Sequence, residues 1–174
     1  MKHIIFNDPY NKKNIFSVIY IENQFLIIEK LYNDISCSDI SCSDISCSDI
    51  SCSDTSYNNI QKEYEKEIKK KLNSYKNQDK QKNKFDNDQM ITYNQIIIKL
   101  YESKLKCYYC NCEMVILFNK KREGVQWTLE RLNNNIGHYD SNTCISCLKC
   151  NLQRRTDNYE YFKKGKQLKI NIIK

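Results

Sequence analysis

The sequence predicts an α+β fold: a small cysteine-bracketed module with helices on its flanks. A repeat and linker expected to be poorly ordered, and a short strand-rich N-terminal segment, precede it. Three observations lead there. Two C-x-x-C pairs, Cys107/Cys110 and Cys147/Cys150, bracket 36 residues. Between them run two strand-like segments, 112–118 and 125–132, joined by a polar turn in which Gly124 can take a positive φ. Helix-like stretches lie outside them, at about 92–105 and 158–164.

The cysteine spacing carries the most chemistry. Two thiolates two residues apart can grip one ion from a tight turn, and two such pairs complete a tetrahedral sulfur shell. That shell suits structural Zn²⁺ and leaves no open coordination position. A disulfide within each pair is the competing reading, and it needs an oxidising compartment. The N-terminus, MKHIIFNDPY, lacks a long apolar run followed by small residues. No apolar run approaches the ~20 residues of a membrane span. An intracellular chain without membrane contact is therefore expected, its ten cysteines thiols or metal ligands. Cys112 and Cys144 complete no further pair and read as packed or free thiols. A knuckle, a hairpin and a short helix beginning around the second pair make a treble-clef arrangement at 106–156, with Trp127 in its core.

The rest of the chain falls into three further segments. Residues 1–34 are rich in Ile, Val, Phe and Tyr, and Glu22-Asn23 can turn a β-hairpin. The alternation is imperfect, so a helix stays open for its second half. Residues 35–56 hold four copies of Ile-Ser-Cys-Ser-Asp. A period of five fits neither strand nor helix, and the segment is expected to be disordered. Its cysteines, 37, 42, 47 and 52, lack the close pairing of a metal knuckle. Residues 57–90 read as a charged helix and linker. Tyr64, Ile68 and Leu72 form a thin apolar stripe, Glu65–Lys69 and Glu67–Lys71 are favourable pairs, and the apolar positions stop after Asn73. The last segment is the module at 91–174. Its leading helix opens on a capping box, Thr92 with Gln95, and lines one face with Tyr93, Ile96, Ile97, Leu100, Tyr101 and Leu105. Asp157 is placed to cap the final helix and Gly165 to end it.

Charge is unevenly spread. Residues 1–90 carry 13 Lys/Arg against 14 Asp/Glu, and residues 91–174 carry 15 against 7, so the C-terminal half is +8. A basic half around a metal motif suits a polyanion, most simply nucleic acid. A solvated basic surface is the plainer alternative.

The order Cys107-x-x-Cys110, Trp-Thr-Leu-Glu130-Arg131, Gly137-His138, Asn142, Cys147-x-x-Cys150-Asn151, then Arg154-Arg155, resembles the HNH endonuclease superfamily over about residues 91–165. The resemblance is to its variant with two flanking C-x-x-C pairs. It implies a ββα-metal fold and a metal-dependent endonuclease acting on double-stranded DNA. Carried over, Glu130 and Asn151 hold a catalytic Mg²⁺ or Mn²⁺, and Asn142 braces the central loop. The departure is Arg131, which stands where the family's usual base is a histidine. An arginine cannot take a proton at neutral pH. His138, the only histidine of the module, then becomes the candidate base that activates water. Arg131, Lys149, Arg154 and Arg155 are the expected phosphate contacts. A degenerate module that binds nucleic acid without cutting is the alternative that Arg131 suggests.

Overall fold

A computed structural model describes residues 24–38, 55–118, 120 and 122–168. Among them are five α-helices and one two-stranded antiparallel sheet, an α+β arrangement. The helices are α1 (Gln24–Ser38), α2 (Thr55–Gln81), α3 (Tyr93–Glu102), α4 (Leu148–Arg154) and α5 (Tyr159–Gln167). The strands are β1 (Trp127–Arg131) and β2 (Thr143–Cys147). No helix among the described residues is long and apolar enough to cross a membrane.

The hairpin differs from its expected form. Strand β1 lies within the second predicted strand, but its partner is β2, with Trp127 opposite Cys147 and Glu130 opposite Cys144. The stretch 112–118 makes only isolated bridges, Lys106 to Glu113 and Val115 to Gln126. Its amides are engaged elsewhere. Met114 donates to the Leu105 carbonyl, and Ile116 donates to Gln24 Oε1 of α1 at 2.6 Å. Helix α4 follows β2 directly, and Cys147 caps it.

Both N-terminal helices belong to the core. The second arm of the expected hairpin is α1, whose Ile27, Ile28 and Leu31 are buried. Its Phe25 and Tyr32 stack on Tyr101 of α3. Residues 1–23, and 39–54 with most of the repeat, lie outside the described residues. Helix α2 does not give way to a linker after Asn73; it runs on to Gln81. Tyr64 and Ile68 are fully buried rather than forming a thin exposed stripe. After α2 the chain stays attached to the module, since Ile91 donates to the His138 carbonyl.

The reason α2 sits where it does is the free edge of β1. A strand edge buried without partners leaves costly backbone groups. Helix α2 supplies partners from one face, at i, i+4 and i+8, to β1 and to the loop at His138. Lys71 Nζ donates to the Trp127 carbonyl, the Leu129 amide donates to Tyr75 Oη at 3.0 Å, and Asp79 accepts from the His138 amide at 2.6 Å. Lys71 therefore leaves its expected partner; Glu67 bonds Lys70 instead, while Glu65–Lys69 forms as expected. Lys71 also lies over the rings of Trp127 and Phe118. Burial lowers its pKa to about 8.

Helix α3 opens on the Thr92/Gln95 capping box, both halves formed, and buries Ile96, Ile97 and Leu100. It ends at Glu102, short of 105, because Lys104 and Leu105 turn into the left-handed region. Helix α5 is capped by Asn158 rather than Asp157, through bonds from the Glu160 and Tyr161 amides. It passes through Gly165 to Gln167 instead of stopping there.

Candidate metal centre and nucleic-acid interface

Cys107 and Cys110 sit on a knuckle between the bridged residues Lys106 and Glu113. The turn closes with bonds from the Asn111 amide to the Cys107 carbonyl and from the Cys107 amide to the Cys112 carbonyl. Asn111 takes φ 57° directly after the second cysteine, a position that favours Gly and is next best filled by Asn. The other pair comes from the end of β2 and the first turn of α4. The four Sγ atoms lie within 4.8 Å of one another and could hold a metal ion such as zinc.

The fit to zinc is geometric. Tetrahedral Zn–S bonds of ~2.3 Å place sulfurs about 3.8 Å apart, and Cys110 Sγ and Cys147 Sγ are 3.9 Å apart. The Cys147 amide points at Cys107 Sγ (3.3 Å) and the Cys150 amide at Cys147 Sγ (3.4 Å). Such donors stabilise thiolates. As bare thiols, two of the four resist ionising. The Cys147 thiol and burial raise Cys107 to about 12, and burial with the Cys107 charge raises Cys150 to about 12. A dication reverses that balance. Cys112 and Cys144 stand outside the four, both partly buried.

The ββα crossing beside the knuckle holds a polar layer. Alternation along β1 turns Thr128 and Glu130 to one face, where α4 covers them. Arg154 Nε donates to Glu130 Oε1 at 2.6 Å, and both residues are buried, at 2% and 5% exposure. The same guanidinium bonds the Arg131 and Asp157 carbonyls and Asn134 Oδ1. Burial raises the Glu130 pKa, against the pull of the Arg154 bond and charge. Asn151 Nδ2 donates to Thr128 Oγ1 at 3.2 Å, not towards Glu130. Arg154 is thus no phosphate clamp: its charge is spent inside the protein.

His138 has a different set of neighbours. It is 3% exposed, and its Nδ1 lies 2.8 Å from Asp79 Oδ1. Arg131 Nη1 stands 3.7 Å from the same oxygen. Alternation along β1 sends Arg131 and Glu130 to opposite faces, so His138 sits by Arg131 rather than over Glu130 as expected. Burial lowers the His138 pKa to about 4, outweighing the attraction of Asp79. The ring is then neutral near pH 7, its Nδ1–H donating to the carboxylate. Tyr75 packs against it, ring centroids 4.7 Å apart.

Asn142 is hydrogen-bonded into the loop at 133–137. Its Oδ1 accepts from the Asn133 amide, and its Nδ2 donates to the carbonyls of Asn133 and Gly137, each at 2.9 Å. Gly137 is required there, because a Cβ would stand 2.5 Å from the Lys84 carbonyl. Lys149 and Arg155 are exposed, whereas Arg131 is half-buried. Arg155 takes φ 51° and closes the end of α4.

Among the described residues, the four cysteines form the one group of three or more His, Cys, Asp or Glu side chains that could hold an ion. Glu130, Asn151 and His138 each have separate partners and as arranged do not fit a shared Mg²⁺ or Mn²⁺. Asp79 and Tyr75 are neighbours of the site that the sequence did not single out, and Lys71 was read only as a surface partner of Glu67. Their signal was the spacing 64, 68, 71, 75, 79, a helical stripe that turns polar towards its C-terminal end. No family model matches the sequence, nor does any curated protein or solved structure.

Proposed function

We propose that residues 91–168 form a treble-clef zinc module of HNH descent that binds nucleic acid without hydrolysing it. The observation that carries this reading is the buried Glu130–Arg154 pair. A carboxylate that binds a catalytic cation must be free to face it, and here a guanidinium already occupies that role. The candidate base supports the same reading: His138 is enclosed between Asp79, Tyr75 and Arg131. Binding itself is supported by the +8 C-terminal half and by exposed Lys149, Arg155, Lys164 and Lys166. Affinity should fall steeply with salt as neutralised phosphates release counterions. Replacing Lys149 and Arg155 by Ala should lower both the affinity and the slope of its salt dependence, read by fluorescence anisotropy. Binding that ignores salt would contradict the reading.

The second reading is a metal-dependent DNA endonuclease, and one observation favours it. Asn142 braces the 133–137 loop as the resemblance implies, while Glu130 and Asn151 lie on a strand and a helix packed face to face. In that reading Arg154 must leave Glu130 before a divalent ion can bind.

A further inference from the structure

We propose that the outward face of α5 is a stacking slot for an unpaired nucleobase, with Tyr161 as the platform and Lys164 as the partner of the adjoining phosphate. The proposal rests on the nucleic-acid reading above and narrows it to single strands.

Helix α5 is anchored by one side only. Phe162 meets Tyr109 edge to face at 5.0 Å, Lys163 Nζ lies 3.7 Å above the Tyr108 ring, and Lys166 donates to Gln153 Oε1 at 2.6 Å. The opposite face, at i, i+3, i+4 and i+7, is Tyr161, Lys164, Gly165 and Leu168. Tyr161 is 74% exposed and Leu168 72%. Lys164 Nζ stands 5.9 Å from the Tyr161 ring centroid.

Gly165 is the informative residue. Glycine inside a helix costs stability relative to alanine, and it is usually kept for a positive φ or a close approach. Neither applies: Gly165 has no positive φ, and a Cβ there would meet nothing within 4 Å. With no side chain at 165, nothing from that position shields the Tyr161 ring, which is 74% exposed and has Lys164 Nζ over it at 5.9 Å. A helical side chain leans back over the turn before it, so a larger residue at 165 would lie across that ring.

An open aromatic face beside an ammonium suits a planar base joined to a phosphate. Lys163 and Lys166 are held on the anchored side, so Lys164 is the charge that the outward face presents. Bases within a duplex are already stacked on their neighbours, so the slot selects single strands.

The test uses the full chain with zinc and two fluorescein-labelled probes, an unstructured oligothymidine and a duplex of equal length. Tyr161→Ala should weaken single-strand binding about 10-fold or more, from the loss of one base–aromatic stack, with little change for the duplex. Gly165→Leu should weaken single-strand binding while raising the thermal midpoint, because leucine favours the helix. Unchanged single-strand affinity in both variants overturns the slot and leaves the nucleic-acid reading standing. Equal losses on both probes also overturn it. Failure of the unmodified protein to bind either probe removes the underlying reading instead.

Discussion

Arg154 ties four parts of the module together. It bonds the Glu130 carboxylate on β1, the Arg131 carbonyl, Asn134 in the loop and the Asp157 carbonyl beyond α4. Arg154→Met would leave Glu130 buried without its counter-charge. Breaking one side of a buried pair typically costs ~3–5 kcal/mol. Urea denaturation should show a loss of that order, and Glu130→Gln in the same chain should recover part of it. Additive losses would mean that the two residues act independently. His138 gives a second residue-scale expectation. Its folded pKa, about 4, lies below the ordinary value of 6.5. Between those values the unfolded chain binds the extra proton, so stability should fall as pH drops from about 6.5 towards 4. The raised pKa of Glu130 acts in the opposite sense but is present in both proteins when His138→Gln is compared with the unmodified chain. The variant should lose the acid sensitivity due to His138; an unchanged pH profile would mean that the imidazole is not held neutral.

At the scale of elements, the cysteine cluster and the capped strand edge do different work. The knuckle and the start of α4 bring four sulfurs within reach of one metal ion. Chelating a zinc held by these sulfurs, or replacing Cys147 by Ser, should therefore unfold 106–156, because ligation free energy is folding free energy at such sites. Circular dichroism and metal analysis together would show it; native signal with no metal present would contradict it. The cysteines, the α3 capping box and β1 were legible in the sequence because each is set by local chemistry: ligand spacing, a cap hydrogen bond, strand alternation. The rest was less legible because it depends on contacts between distant segments. Ile116 bonds Gln24 of α1, 92 residues away, which no local pattern announces. Helix α2 reads as solvated because its charged and polar residues conceal three with inward tasks. Lys71, Tyr75 and Asp79 are polar precursors of buried bonds, not of a wet surface. The same blindness affected the candidate site. Asn142 was placed from its motif position, but the buried partners of Glu130 and His138 come from α4 and α2.

For the whole molecule, the central claim is that the module binds nucleic acid and leaves phosphodiester bonds intact. The proposed lack of hydrolysis rests on three side chains with separate partners: Glu130 on Arg154, Asn151 on Thr128 and His138 on Asp79. The most direct measurement incubates the zinc-loaded full chain with supercoiled plasmid and with a labelled single strand, in Mg²⁺ and in Mn²⁺. Protein concentrations should be those at which anisotropy shows both probes bound. The account predicts retarded but intact DNA in either metal. Metal-dependent nicking that disappears in Glu130→Ala, with binding retained, would contradict it and establish the endonuclease reading.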